Sequence, residues 1–159
     1  MPTHHLAGLI KKLRDFKGLT RKFALGEILN ILEETTYDDA GFFDVGDFKV
    51  VVSCDGIVES LIKSDPLLAG YYSVLVNVND VVAKGARPIG FVNIISSSSS
   101  EVRRKVAEGI REGLRKYKLK LLKGHTHPDT SYDCIDAAAV GIARNVLPST
   151  TAKAEDSLI

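Results

Sequence analysis

The sequence contains no tryptophan, one methionine and only two cysteines among its 159 residues. Cys54 and Cys134 lie far apart along the chain, which excludes a dense disulfide framework. We therefore expect a reducing, cytoplasmic setting in which both cysteines are small buried residues. A charge excess is also missing, because 21 basic residues stand against 20 acidic ones. Bulk charge thus indicates neither a nucleic-acid-binding protein nor a disordered chain.

Long apolar runs are absent as well. No stretch approaches the roughly 18 to 20 residues needed to cross a bilayer, and residues 1–22 are too charged for a signal sequence. The hydrophobic fraction of 45% is nevertheless enough to build a core without help from disulfides or metal. We therefore predict a cytoplasmic protein with no membrane partner.

Residues 1–36 have helical patterns only. Leu6, Leu9, Ile10 and Leu13 recur at helical spacing, which predicts an amphipathic helix that ends at Gly18. A second helix is predicted after Thr20 as its N-cap, with an apolar stripe that ends before residue 33. We therefore treat residues 1–36 as an N-terminal helical segment.

Residues 37–159 alternate between strand and helix patterns, which predicts an α/β or α+β domain. The predicted strands cover residues 48–53, 88–95, 119–122 and 135–143, and polar loops are expected at 37–41 and 124–133. Residues 156–159 look like the start of a further strand, so the chain is expected to be truncated before a C-terminal domain.

Two helices are predicted between these strands. The segment 66–84 fits both the alternating pattern of a strand and the spacing of a helix. A helix is favoured by the length of the segment, by Asp65 as a cap, by Pro66 in the first turn and by Gly85 at the end. A second helix begins at a capping box formed by Ser98 and Glu101. Its apolar face is formed by Val102, Val106, Ile110, Leu114 and Tyr117.

Acidic residues stand at turns and at element ends, where they could bind a hard cation such as Mg²⁺ through oxygen. Taken singly, most such residues are solvated turn or cap residues. Asp80 is different, because it lies in an apolar segment where an unpaired charge is costly to bury. It therefore needs either a ligand or a partner, and Lys84 one turn later is the simplest candidate partner.

Five blocks carry a resemblance to a known superfamily. They are Asp38-Asp39-Ala40, Ser53-Cys54-Asp55, the helix ending in Asn79-Asp80 before Ala86-Arg87-Pro88, Gly124-His125-Thr126, and Asp156. In this order they resemble the PurM-like superfamily, which includes AIR synthase, selenophosphate synthase, thiamine-monophosphate kinase and the hydrogenase maturation protein HypE. The helical start is most similar to archaeal AIR-synthase-related proteins of the methanogenesis-marker type.

The resemblance implies a PurM N-terminal-domain-like fold for residues 37–159, with a mixed β-sheet, flanking helices, and sheets that pair into a barrel across a homodimer. It implies Mg-ATP as the cofactor and the metal ligands Asp38, Asp39, Asp55 and Asp80. The implied nucleotide-binding residues are Asn79, Asp80, Gly124, His125 and Thr126. The expected function is the Mg-ATP-binding part of an enzyme that activates a small substrate by phosphoryl transfer. No catalytic residue is assigned.

Several departures from the superfamily pattern leave alternatives open. His125 stands where several relatives have a metal-binding aspartate, and a neutral imidazole suits Mg²⁺ poorly. A zinc site formed by His125, His127 and Cys134 has only weak support, because no paired Cys-x2-Cys accompanies it. After Val58-Glu59 the chain lacks the substrate motif of thiamine-monophosphate kinases. The alternative function is therefore a non-catalytic nucleotide-binding or dimerisation module.

A basic stretch between residues 103 and 120 is the one candidate nucleic-acid surface. Glutamates interrupt it and no set of aromatic side chains for base stacking accompanies it. We interpret it as a solvated helix face and expect no nucleic-acid partner.

Overall fold

The computed structural model describes residues 3–20, 24–33 and 38–157. The chain divides into two compact units, Met1–Tyr37 and Asp38–Ile159. The first unit contains helices α1 (Thr3–Arg14), α2 (Lys17–Thr20) and α3 (Ala24–Ile31). Its helical character was predicted, but the first helix ends at Arg14, and Gly18 lies inside α2. The proposed cap of Thr20 on the next helix involves residues 21–23, which lie outside the described part of the chain.

The second unit contains a five-stranded mixed sheet. Its strands and helices in chain order are β1 (Gly41–Val45), β2 (Phe48–Ile57), α4 (Glu59–Ser64), α5 (Pro66–Ala83), β3 (Arg87–Ser96), α6 (Ser100–Tyr117), β4 (Lys120–His127) and β5 (Cys134–Ala143). The strands lie in the order β1-β2-β5-β3-β4. Only β3 and β4 are parallel, and α6 is the crossover between them. The prediction of an α/β fold with a mixed sheet is confirmed.

Helices α5 and α6 pack together and cover one face of the sheet. They approach so closely that a Cβ atom at Gly109 would overlap the carbonyl oxygen of Leu67, and one at Gly70 would overlap that of Val106. Tyr71 and Tyr117 join the two helices through hydroxyl groups 3.0 Å apart. The core therefore lies between this helix pair and the inward-facing residues of the three central strands.

The helix predictions are largely confirmed. Helix α5 ends one residue before the predicted end, and the Asp65 carboxylate caps it by accepting the Leu68 N–H at 2.9 Å. Gly85 follows α5 with a φ of +72°, a conformation that favours glycine. The predicted cap of α6 was wrong by one residue. Ser99 rather than Ser98 accepts the Val102 N–H, which moves Glu101 out of the capping-box position.

The strand predictions were too short. The predicted end of β2 before Asp55 was wrong, because Asp55, Gly56 and Ile57 continue to pair with β5. The predicted loop from residue 124 was also wrong at its start, since β4 continues to His127 along β3. Strand β1 and helix α4 were not predicted. No strand lies within the described residues 152–157, and residues 158–159 lie outside them.

The face of the sheet opposite α5 and α6 exposes apolar side chains. We call this surface the open face, and it includes Phe43, Val52 and Ile94, which are 56%, 37% and 39% exposed. Cys54 lies on the same face and is exposed, while Cys134 is half-buried, so the predicted burial of both cysteines was wrong. The alternation of side chains along β2 places Cys54 opposite the inward-facing Ser53. No described helix is long and apolar enough to cross a membrane.

Candidate functional site

Strand β2 and helix α5 together build an acidic group at the edge of the core. Ser53 points from β2 toward α5, and its hydroxyl donates to Oδ2 of Asp80 at 2.7 Å. The same hydroxyl lies 3.3 Å from Oδ1 of Asn77, a fully buried residue whose amide donates to the Ser73 carbonyl. The Ser53 hydrogen bond from β2 therefore orients the Asp80 carboxylate, which lies at the edge of the apolar surface of α5.

Three carboxylates interact at this point. Burial raises the pKa of Asp80, and the Ser53 hydrogen bond lowers it by less. Contact with Asp55 and the charge of Asp39 raise the pKa of Asp80 further. Asp55 and Asp39 are themselves exposed, so a ligand from solvent can reach them. We call Asp39, Asp55 and Asp80 the acidic group. Its mutual repulsion would be relieved by a cation bound among its oxygens.

Asp38 is held differently from its neighbour Asp39. Its Oδ1 atom forms an ion pair with the ammonium group of Lys84, whose side chain is 3% exposed, and also accepts the Asp39 N–H at 2.9 Å. Its Oδ2 atom accepts the Ser149 N–H at 3.1 Å. Burial raises the pKa of Asp38, but the hydrogen bonds from Lys84, Ser149 and Asp39 together outweigh it, so the pKa is lowered.

Lys84, the partner expected for Asp80, therefore binds a different residue. Lys84 follows Asp80 by one helical turn, yet its ammonium group binds Asp38, and the Ser53 hydroxyl takes its place on Asp80. A cleft of about 640 Å³ lies beside this pair, lined by Asp39, Lys84 and residues of the segment after β5, including Thr151 and Lys153.

The other predicted nucleotide-binding residues are distributed over two places. Asn79 is exposed on α5 directly before Asp80. Gly124, His125 and Thr126 lie on β4, which is separated from β2 by β5 and β3. At the usual spacing of strands this separation is roughly 14 Å across the sheet. The structure therefore places Asp55 and Asp39 near enough to Asp80 to raise its pKa but leaves the β4 residues at the far edge of the sheet.

A groove of about 530 Å³ runs between α6 and β4. Its lining includes Asn93, Arg111 and the β4 residues Gly124, His125 and Thr126. The Thr126 hydroxyl donates to the Ile95 carbonyl at 2.9 Å, so its oxygen lone pairs remain available to accept a hydrogen bond. The groove thus combines an apolar floor with a few polar groups and one cationic side chain.

No three His, Cys, Asp or Glu side chains converge into a ready-made metal centre within the described residues. The rings of His125 and His127 lie edge to face with centroids 4.7 Å apart. The Cys134 thiol donates instead to Asp136 at 3.2 Å, and burial followed by this bond raises the pKa of Cys134 to about 11. A protonated thiol binds zinc poorly, so the geometry adds no support to the zinc alternative.

Sequence reasoning missed the supporting residues of the acidic group. Ser53 and Asn77 were not predicted as site residues, although Ser53 lies two residues before Asp55 on the same face of β2, and Asn77 lies three before Asp80 on α5. The strand spacing of Ser53 and Asp55 and the helical spacing of Asn77 and Asp80 could therefore have predicted that these residues lie near the acidic group. The pairing of Lys84 with Asp38 had no such signal, because the two residues lie 46 positions apart.

Comparison with known proteins agrees with this fold. The family described as AIR synthase related protein, N-terminal domain, matches residues 37–143. An uncharacterized protein of Methanocaldococcus jannaschii, MJ0640, is 33% identical over 98% of this chain and 52% of its own length. Thiamine-monophosphate kinase of Pyrococcus abyssi is 32% identical over 82% of this chain and 46% of its own length.

Solved structures share the fold. The complex of AaThiL with AMPPCP and TMP superposes with a TM-score of 0.71 at 19% identity, covering 79% of this chain and 42% of that one. The structure of T. maritima PurL complexed with ATP superposes with a TM-score of 0.61 at 12% identity, covering 67% of this chain and 20% of that one. The chain spans about half the length of the first curated relative it matches. Through residues 37–143, which match its N-terminal domain, the chain belongs to the AIR synthase related protein family.

Proposed function

We propose that this chain is the Mg-ATP-binding part of an enzyme that activates a small substrate by phosphoryl transfer. The observation that carries the proposal is the acidic group, in which Asp80 is held by Ser53 beside Asp55 and Asp39 and has a raised pKa. Family membership supports it, since thiamine-monophosphate kinases are among the relatives, and AaThiL and T. maritima PurL were solved with AMPPCP and ATP.

The donor atoms of the acidic group fit Mg²⁺. They are carboxylate oxygens, two of the three residues are exposed, and burial of Asp80 together with its acidic neighbours opposes ionisation unless a cation is present. Mg²⁺ is usually bound by one or two carboxylates together with phosphate oxygens and water, so a closed protein cage is not required. When bound, the ion would neutralise charge on phosphate oxygens.

We assign the remaining predicted residues to the nucleotide. Asn79 lies beside Asp80 on α5 and presents an exposed amide that can donate to a phosphate oxygen. Gly124, His125 and Thr126 line the groove beside α6, where Arg111 supplies a positive charge. We propose that this groove contacts a part of the nucleotide remote from the metal, because it lies at the opposite edge of the sheet.

Calorimetry with Mg-AMPPNP tests the proposal on the 159-residue chain. We expect binding by the unmodified protein and at least tenfold weaker binding by Asp80→Asn and Asp55→Asn. Asp47→Asn is a matched control, because Asp47 is an exposed acid in the turn between β1 and β2. Absence of binding by a folded protein, or equal binding by all variants, would refute the proposal and favour the non-catalytic module.

The open face supports a further part of the proposal, a homodimer in which this face packs against a second copy. Its exposed apolar side chains lie on β1, β2 and β3, with the half-buried Ala138 and Val140 of β5 between β2 and β3, and pairing two such sheets would remove this surface from water. The open face of a second copy is a sheet of the same kind, and two sheets can pack face to face with their inner side chains interdigitating.

Sedimentation velocity of Val52→Glu tests this interface. Val52 lies within β2, where its open-face neighbours are apolar, so a buried carboxylate there should shift the protein from dimer to monomer. Val82→Glu is the control, because Val82 is an exposed valine on α5 rather than on the sheet. A monomeric unmodified protein, or a dimer that survives Val52→Glu, would exclude this interface.

A further inference from the structure

Lys84 is a buried cation next to the acidic group. Its side chain is 3% exposed and its ammonium group contacts the carboxylate of Asp38, which is itself 11% exposed. Few lysines are buried to this extent without a specific partner, because desolvating the charge is costly. The ion pair is therefore a buried structural interaction of the site. The pair of Lys49 with the 73% exposed Asp44 is, by contrast, a surface contact.

The carboxylate of Asp38 is already supplied with donors. Oδ1 accepts from the Lys84 ammonium group and the Asp39 N–H, and Oδ2 accepts from the Ser149 N–H. These three donors leave about one acceptor site on the carboxylate, and the positive charge of the buried Lys84 ammonium group opposes a divalent cation at that site. Asp39, by contrast, is exposed and faces Asp80 closely enough to influence its charge.

We propose that Lys84 is a positioning residue that acts as a built-in counter-ion for Asp38, keeping this carboxylate from binding metal and leaving Asp39, Asp55 and Asp80 as the divalent-cation ligands. The chain thereby binds one divalent cation fewer than it would with a neutral residue at position 84. The proposal rests on the function proposed above, and it differs from the expectation, drawn from the family resemblance, that Asp38 is itself a metal ligand.

The same pair joins the acidic loop to the segment that follows β5. The Lys84 carbonyl accepts the Leu147 N–H at 3.1 Å, while Asp38 accepts the Ser149 N–H. The Lys84 backbone and the Asp38 side chain therefore each bind one residue of the segment 147–149. A metal ion at Asp38 could supply the positive charge that Lys84 provides. It could not donate the hydrogen bond that the Lys84 ammonium group gives to Asp38.

The test counts Mn²⁺ ions bound per chain, by electron paramagnetic resonance of free Mn²⁺ during titration of the 159-residue protein. Lys84→Met removes the ammonium group while retaining an unbranched side chain that can fill its space. We expect this variant to bind one more Mn²⁺ per chain than the unmodified protein. The double variant Lys84→Met/Asp38→Asn lacks the freed carboxylate and is expected to return to the original count.

Two further variants make the result specific. Lys49→Met breaks an ion pair with Asp44 away from the site and should leave the count unchanged. Asp38→Asn alone should also keep the original count at saturating Mn²⁺, with weaker affinity because the Lys84 charge is no longer neutralised by Asp38. This variant remains informative even if Lys84→Met fails to fold, because loss of a bound Mn²⁺ in Asp38→Asn would overturn the proposal.

The outcomes separate this proposal from the function on which it rests. An unchanged count in folded Lys84→Met, with Mn²⁺ still bound by the unmodified chain, overturns the role of Lys84 alone. Mn²⁺ binding by Lys84→Met but not by the unmodified chain supports Lys84 as counter-ion and refutes the metal-binding role of the acidic group. Absence of binding in both refutes both.

Discussion

Replacing Gly109 with alanine should destabilise the protein more than an ordinary surface substitution. Gly109 lies in α6 where this helix meets α5, and an added Cβ atom would overlap the Leu67 carbonyl oxygen. It would also lie 2.8 Å from the Tyr71 nitrogen and 2.9 Å from the Leu67 carbonyl carbon. These are backbone atoms of a helix, so they cannot yield by a change of rotamer. The two helices would have to separate.

The size of the effect follows from two opposed contributions. Overpacking of a well-packed core costs roughly 1–3 kcal/mol, and the rigid neighbours here place Gly109→Ala at the upper end. Alanine in a helix returns about 1 kcal/mol relative to glycine. We therefore expect a net loss of about 2 kcal/mol in the free energy of unfolding, which corresponds to a decrease in Tm of roughly 4–8 °C.

Thermal and urea unfolding of a graded series would measure this. Gly113→Ala should cost less than Gly109→Ala, because its Cβ would meet the Val74 side chain at 2.8 Å rather than backbone. Gly41→Ala is the control, since nothing lies within 4 Å of its position. A neutral Gly109→Ala, or a Gly113→Ala that is more costly, would show that the helix packing described here is wrong.

Three other predictions concern the site and the open face. Because the pKa of Asp80 is raised on folding, ionisation of Asp80 destabilises the metal-free protein as pH rises through the folded pKa. In EDTA, Asp80→Asn should therefore be more stable than the unmodified protein at pH 7 and lose this advantage in acid. Ser53→Ala removes the hydroxyl that donates to Asp80 and should raise the pKa of Asp80 further, measurable by carboxyl NMR titration. Asp136→Asn should speed alkylation of Cys134 between pH 8 and 9, because burial and Asp136 raise the pKa of this thiol to about 11; an unchanged rate would leave burial as the sole cause.

The elements that periodicity and caps could define were predicted well. Helix α5 ends within one residue of its predicted end because Asp65, Pro66 and Gly85 mark its two ends by local chemistry. The strand ends had no such local signal. The sequence predicts a strand end at Asp55 and Gly56, yet both remain in β2 because β5 supplies their pairing partners, Ala137 and Asp136, from a distant part of the chain.

The candidate site was predicted in part for the same reason. Asp80 was identified because a charge within an apolar helix needs a partner, and the structure supplies that partner as Ser53. The choice of Lys84 for this role was wrong, since the helical spacing that favours the pair is local, whereas the contact with Asp38 depends on how the loop before β1 returns to the end of α5.

The sequence by itself determined the two long helices α5 and α6 and the α/β class, because each depends on residues close together in the chain. It also singled out Asp80, because a charge inside an apolar helix needs a partner or a ligand. Only the tertiary structure decided which carboxylates share a charge environment, since that depends on strand order. It places β2 beside α5 and leaves β4 at the far edge of the sheet. It also decided that Asp38 belongs to Lys84 while Asp39, Asp55 and Asp80 remain together, because only folding brings a buried ammonium group to one of four similar acids.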